Sequence, residues 1–152
     1  MKIIVFSDSH GRPEAMVNAI AAESPDMALY LGDGLRDLDS VREAYPELTI
    51  RAVRGNCDFG AFEALSDEFV CSGRRIIMAH GHKYNVKYGY DAILNAACVS
   101  GADVLLFGHT HVPICKNMYG VLMANPGSIG YDGRYGVLYI ENGDLIYDAK
   151  TL

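Results

Sequence analysis

Five short apolar runs in this chain each break off into a glycine-bearing cluster of aspartate, asparagine or histidine, and that pattern leaves few folds open. Lys2–Phe6 (KIIVF) stops at Ser7-Asp8-Ser9-His10-Gly11, Met27–Leu31 (MALYL) at Gly32-Asp33-Gly34, and Leu48–Val53 at Arg54-Gly55-Asn56-Cys57-Asp58. Arg75–Ala79 stops at His80-Gly81-His82, and Asp103–Phe107 (DVLLF) at Gly108-His109-Thr110-His111. Such runs read as buried strands with exit loops. Pro13 opens a helix that runs to about Ala22, and Leu35–Ala44 reads as the next one. Strand, loop and helix repeated in this way predict a βαβ series with a largely parallel sheet. Parallel strands deliver the loops at their carboxyl ends to one edge. Asp8, His10, Asp33 and Asn56 are therefore expected to converge although they lie far apart in the chain.

The second half reads differently. Glu68–Cys71 and Arg75–Ala79 form an expected hairpin through Ser72-Gly73-Arg74, and a helix is expected over about Tyr88–Ser100. Ile114–Asn117, Val121–Ala124, Gly136–Ile140 and Leu145–Tyr147 read as strands, the last two joined through the hairpin signal Asn142-Gly143. No long linker, repeat or low-complexity stretch divides the chain, so one α/β domain over residues 1–152 with two packed sheets is expected.

Composition narrows the function classes. The chain has 152 residues, 50% hydrophobic and 21% charged, which fits a globular domain and not a disordered one. A net charge of −6 and the lack of a Lys/Arg stripe argue against a dedicated binder of duplex nucleic acid. Arg74-Arg75 is read as a strand start with solvated heads. A strand already under way at Lys2 leaves no room for a signal peptide, and no apolar run approaches the roughly 18 residues of a membrane span, so a cytoplasmic protein is expected. Cys57, Cys71, Cys98 and Cys115 contain no CxxC pair. Cys71, Cys98 and Cys115 are read as small buried apolar residues, whereas Cys57 lies inside a ligand-type cluster.

All five histidines fall within these clusters. Imidazoles, carboxylates and an amide oxygen are the donor set for Mn²⁺, Fe²⁺, Zn²⁺ or Ni²⁺. Asp8 and His10 share i, i+2 spacing, as do His109 and His111, and on an extended loop alternate residues face one side. A single D-x-H or H-x-H is a weak signal; five clusters each following a strand are a strong one. Seven donors exceed the needs of one tetrahedral ion and suit two ions sharing a carboxylate, for which Asp33 is the natural bridge. Two ions about 3.5–4 Å apart can activate a water and stabilise both oxygens of a phosphoryl displacement, and their charge favours phosphate over neutral esters.

This constellation resembles the calcineurin-like metallophosphoesterase superfamily, specifically its small single-domain YfcE-like phosphodiesterase branch. The resemblance runs from Asp8 to the turn Asn125-Pro126-Gly127-Ser128, with all five blocks in the family's order. It implies a four-layer sandwich of two mixed β-sheets flanked by helices. It also implies a first ion on Asp8, His10, Asp33 and His111, and a second on Asp33, Asn56, His80 and His109. Mn²⁺ is the implied metal, with Ni²⁺, Fe²⁺, Zn²⁺ or Mg²⁺ as alternatives, and a homodimer or larger homo-oligomer is the implied assembly. The implied reaction is hydrolysis of a small phosphodiester or nucleotide-like substrate.

One departure bears on mechanism. Many members of the wider superfamily carry Gly-Asn-His-Glu or Gly-Asn-His-Asp, whose histidine helps to protonate the leaving group, where this chain has Gly55-Asn56-Cys57-Asp58. A thiol is a poor substitute as proton donor, which predicts slow turnover or a preference for good leaving groups. Asn56, Cys57, Asp58 and His82 are the candidate catalytic residues. His82 is either a replacement proton donor or only a hydrogen-bond partner of a ligand, and Asp58 is expected to orient a ligand or brace its loop. Tyr84, Tyr88, Tyr90, Tyr119, Tyr131 and Tyr135 either stack a nucleobase, line a dimer interface or edge the core. Two rival functions are a phosphomonoesterase or nucleotide phosphatase on the same metals, and a non-catalytic scaffold like the retromer subunit of this fold.

Overall fold

A computed structural model describes residues 1–152. β1 (Lys2–Phe6), β2 (Met27–Tyr30) and β3 (Thr49–Ala52) run parallel, with Val5 opposite Leu29 and Leu29 opposite Arg51. The chain returns late to this sheet. β9 (Arg134–Glu141) pairs antiparallel with β1, and β10 (Asp144–Thr151) pairs antiparallel with β9, giving the order β10-β9-β1-β2-β3. Asn142 (φ 50°) and Gly143 (φ 89°) make the tight turn between them, both in the left-handed region that such hairpins require.

The second sheet contains β4 (Ser66–Cys71), β5 (Arg74–Ala79), β6 (Val104–Phe107), β7 (Ile114–Met118) and β8 (Val121–Asn125) in the order β4-β5-β6-β8-β7. β5, β6 and β8 are parallel, and antiparallel strands close both edges. The sheets are therefore mixed. The largely parallel reading holds for β1-β2-β3 and β5-β6-β8 only, because hairpins add antiparallel strands to both sheets.

Three apolar cores define four layers. Ile3, Val5, Leu29, Met78, Leu106 and Leu138 belong to the core between the sheets. Ile4, Phe6, Ala28 and Tyr30 face the other way, onto Met16, Ala19 and Ile20 of α1 (Pro13–Glu23) and Leu38 and Val41 of α2 (Leu38–Ala44). Ile77, Ala79, Leu105 and Phe107 pack on Ile93, Leu94 and Ala97 of α3 (Asp91–Ser100). Alternate residues of β1 and β6 thus serve different cores, as central strands buried on both faces must.

Several boundaries differ from the sequence reading. The Leu35–Ala44 helix divides into a 3₁₀ turn over Leu35–Asp37 and α2. The helix expected from Tyr88 begins at Asp91, after a 3₁₀ turn at His82–Tyr84 and Gly89 at φ 156°. A short α4 (Ile129–Asp132), capped by Ser128, was not anticipated. Cys71, Cys98 and Cys115 are not buried: Cys71 is half-buried and the other two are exposed. Cys71 and Cys115 lie on the edge strands β4 and β7, and Cys98 falls outside the narrow stripe that α3 buries. Arg74 and Arg75 do start β5, but their heads are paired, with Asp103 at 3.0 Å and Glu68 at 2.7 Å, and are not simply solvated. No helix is long and apolar enough to cross a membrane.

Candidate metal centre

The carboxyl ends of β1, β2, β3, β5 and β6 supply every expected ligand, and five of these residues adopt an unusual backbone. Asp8, His10, Asp33, His109 and His111 all have φ between 45° and 66°. Left-handed conformations are uncommon outside glycine and collect at functional sites, where surrounding structure must hold them. The extended-loop geometry expected from i, i+2 spacing is therefore incorrect. Asp8 and His10 do reach the same cluster, but His109 and His111 part to different ones.

One cluster joins Asp8, His10 and His111. His111 Nε2 lies 3.0 Å from Asp8 Oδ1, His10 Nε2 lies 3.7 Å from the same oxygen, and the two imidazole nitrogens are 3.5 Å apart. The other Asp8 oxygen is already engaged, accepting the His109 backbone N–H at 3.1 Å and the Ser7 hydroxyl. Tyr131 packs its ring on His10 and His111, with centroids 5.1 and 5.3 Å away.

The second cluster joins Asp33, His80 and His109. His80 is fully buried, and its Nδ1 donates to the Leu31 carbonyl at 2.8 Å. That bond fixes the tautomer, because a carbonyl can only accept, and it leaves the lone pair of neutral His80 on Nε2. Nε2 faces His109 Nδ1 at 3.1 Å, Asn56 Oδ1 at 3.2 Å and Asp33 Oδ2 at 3.4 Å. A carboxylate oxygen, an amide oxygen and two imidazole nitrogens thus converge with few protons to share among them. Such an arrangement is repulsive by itself and suits a cation at its centre, so the residues present fit a divalent metal.

The electrostatics agree. Burial works against ionised Asp33, yet hydrogen bonds from His80 and the Cys57 backbone hold its carboxyl well below the usual carboxylate range. Burial also opposes charge on His80, but the Asp33 hydrogen bond and the charges of Asp8 and Asp33 raise it above the ordinary histidine value. His109 is lowered to about 4, first by burial and then by the charges of His80 and Lys87. Low proton affinity suits His109 as a ligand, while the raised value of His80 reflects how strongly Asp8 and Asp33 draw positive charge to that nitrogen, where a cation would take a proton's place.

The catalytic candidates divide by position. Asn56 Oδ1 belongs to the second cluster. Cys57 donates its backbone N–H to Asp33 Oδ1 at 2.8 Å. Desolvation, and then the hydrogen bond and charge of Asp33, push its thiol up to about 11. Asp58 takes no part in either cluster; its carboxylate accepts backbone N–H groups from Asp33, Gly34, Leu35 and Gly55 at 2.7–2.9 Å. His82 stands beside His80 and His109, with centroids 5.4 and 6.1 Å away, and its buried Nδ1 has no hydrogen-bond partner. Burial and the charge of His80 lower its proton affinity.

Supporting residues were less legible. Asn125 Nδ2 donates to the Gly108 carbonyl (2.9 Å) and Thr110 Oγ1 (3.1 Å), while Ser128 Oγ donates to the Asp8 carbonyl at 2.8 Å. The turn noted at Asn125–Ser128 therefore ties the Asp8 loop to the His109 loop. Tyr30, Ser9 and Asp37 form a chain of 2.6 Å hydrogen bonds that no sequence motif announced.

Comparison with known proteins gives one answer. The calcineurin-like phosphoesterase superfamily domain matches residues 1–143. The Bacillus subtilis protein named "Probable metallophosphoesterase YsnB" is 32% identical over 160 residues, covering 100% of this chain and 89% of that protein. Phosphodiesterase YfcE of Escherichia coli K12 is 27% identical over 169 residues, covering 91% and 87%. A Streptococcus pneumoniae TIGR4 structure described as a "predicted phosphoesterase" has a TM-score of 0.85 at 28% identity, covering 99% of this chain and 88% of that one. Vacuolar Protein Sorting 29 from Cryptosporidium parvum, with a TM-score of 0.77 at 13% identity over 98% and 96% of the chains, shares the fold alone.

Proposed function

The chain belongs to the calcineurin-like phosphoesterase superfamily, and on that footing we propose that it hydrolyses small phosphodiesters at a centre of two divalent cations. Asp8, His10 and His111 would hold one cation together with Asp33, and Asp33, Asn56, His80 and His109 would hold the other. The observation that carries this reading is the meeting of Asp33, Asn56 and His109 donor atoms at 3.1–3.4 Å from the one free nitrogen of His80. The bound cations supply the Lewis acidity and positive charge that phosphoryl transfer to water requires.

The rest of the chemistry is positioning by the chain itself. The Leu31 carbonyl keeps His80 in the ligating tautomer, and the Cys57 N–H occupies one Asp33 oxygen so that the other points into the cluster. Asp58 holds the Asp33 and Gly55 loops together. Cys57 stands where an imidazole would assist the leaving group, so diesters of acidic alcohols are the favoured substrates. His82, whose ring lies beside His80 and His109, is the candidate to protonate the leaving group in place of an imidazole at position 57, or else a partner of a ligand histidine.

Mn²⁺ is the proposed cation on the strength of the family resemblance, and the mixed imidazole, carboxylate and amide donors accept it as they accept Fe²⁺, Zn²⁺ or Ni²⁺. The four cysteines are free, which fits work in the reducing cytoplasm. We take residues 1–152 to act as one domain, in a homodimer or larger homo-oligomer of the kind the family resemblance implies.

The test is a comparison of kcat/KM for p-nitrophenyl phosphate and bis-p-nitrophenyl phosphate with Mn²⁺ present. A diester preference of about tenfold or more is expected; the opposite preference would make the protein a phosphomonoesterase on the same metals.

A further inference from the structure

A cavity of about 560 Å³ is lined by the proposed metal ligands His10 and Asp33 and by Cys57. Its lining also includes Phe59 and Phe62, which are 87% and 101% exposed. Two phenylalanines this open to water, within one short loop beside a reaction centre, leave apolar area uncovered where a ligand would lie.

The charged residues of the cavity narrow the ligand. Asp58 is occupied by four backbone N–H groups, Asp37 by Ser9 Oγ and the Gly11 N–H, and Asp39 by Arg42 at 3.2 Å. Arg36 and Glu63 also line it and take part in no ion pair. Asp33, Asp37, Asp39, Asp58 and Glu63 outnumber Arg36 and Arg42, so the lining is net negative and does not attract a second phosphate, and the groups left to hydrogen-bond an uncharged ligand are Arg36 and Glu63. They do provide donors and acceptors at the edge of two aromatic faces, which is the chemistry that receives a nucleobase.

We propose that Phe59 and Phe62, with Arg36 and Glu63, form a base-binding subsite, so that the substrate is a nucleoside phosphodiester whose phosphate lies over the metals. This inference rests on the phosphodiesterase reading and specifies its substrate class. The size agrees, since small-ligand sites span about 300–1,000 Å³.

The experiment compares Mn²⁺-loaded wild-type protein with Phe62→Ala, Phe62→Leu and Phe62→Tyr on two diesters. One is thymidylyl-3′,5′-thymidine and the other is glycerophosphoglycerol, which has no ring. The ratio of kcat/KM between them is expected to fall about tenfold in Phe62→Ala and Phe62→Leu, through KM for the nucleoside diester, and to be retained in Phe62→Tyr. An unchanged ratio in Phe62→Ala would overturn the subsite. So would a dimer that Phe62→Ala dissociates while the ratio holds, because it would assign the pair to contact between copies.

Binding is read separately by titrating thymidine 5′-monophosphate into the wild-type protein and following backbone amide shifts. Shifts at Gly60, Ala61 and Glu63 that vanish in Phe62→Ala support the subsite even if neither diester is hydrolysed, in which case the esterase reading fails alone. No shift at these residues at millimolar nucleotide would overturn the subsite whatever the rates.

Discussion

The carboxylate of Asp58 accepts the backbone N–H of Asp33 at 2.7 Å, so a residue of the β3 exit loop fixes a proposed metal ligand carried on the β2 exit loop. The same carboxylate also takes the N–H groups of Gly34, Leu35 and Gly55. Asp58→Ala leaves four donors without this acceptor and is expected to cost about 2–4 kcal/mol of stability. Metal-dependent activity should fall at least about a hundredfold, with Asp58→Asn in between. Urea unfolding and kcat/KM measured on the same preparations check this; wild-type stability in Asp58→Ala would contradict the bracing role.

Gly108 is among the glycines that close approach alone requires, since its φ lies outside the left-handed region. A Cβ on Gly108 would run into Ser7 Oγ, lie 2.9 Å from Ser7 Cβ and press on Asp8 Oδ2 at 3.0 Å. Gly108→Ala should displace Asp8 or His109 and weaken metal binding at least tenfold. Gly120 offers the contrast, with open space around its Cβ and φ 80°. Gly120→Ala should cost only about 1 kcal/mol of backbone strain and leave metal affinity unchanged. Calorimetric titration of Mn²⁺ into both variants tests the difference.

Glu23 sets an acid-stability signature. Partial desolvation opposes its ionisation, but hydrogen bonds from Lys150, Lys2 and Tyr135 prevail and hold its carboxyl at about 2, against an ordinary 4.5. A depressed folded-state pKa contributes stability that is complete above about pH 4.5 and disappears as pH falls through about 2. Its partners Lys2 and Lys150 are 28% and 33% exposed, and screening there reduces the contribution to about 1–2 kcal/mol. Glu23→Gln should be less stable than wild type by that amount at pH 7, with the gap closing between pH 4.5 and 2. A gap that stayed constant over this range would assign the effect to packing.

Cys57 offers a gain-of-function test. Cys57→His restores an imidazole next to Asn56 and should raise kcat on dialkyl diesters, whose alkoxides need a proton, by about tenfold or more. Bis-p-nitrophenyl phosphate, with its acidic leaving group, should gain far less. Equal effects on both substrates would show that position 57 does not govern leaving-group protonation.

The parts of the site that the sequence makes legible are those that follow from strand direction. Asp8, Asp33, Asn56, His80 and His109 each end an apolar run, and parallel strands bring such ends together. Conformation within the loops was not legible, because the left-handed backbones of Asp8, His10, Asp33, His109 and His111 depend on neighbours such as Asp58, Asn125 and Ser128 that reach them only in three dimensions. Cys98 and Cys115 show the same limit from the other side. Their apolar character predicts burial, but their places on an exposed helix face and an edge strand override it. Phe59 and Phe62 carried no motif at all, and only the cavity they line gives them a role.

The most direct measurement is hydrolysis of bis-p-nitrophenyl phosphate by metal-stripped protein as Mn²⁺ is added, beside Asp33→Ala and His80→Ala. The rate should be negligible without metal, rise to a plateau near two equivalents per chain, and stay near zero in both variants. Hydrolysis that survives chelation, or full activity in either variant, would contradict a reaction centred on the cations held by Asp33 and His80.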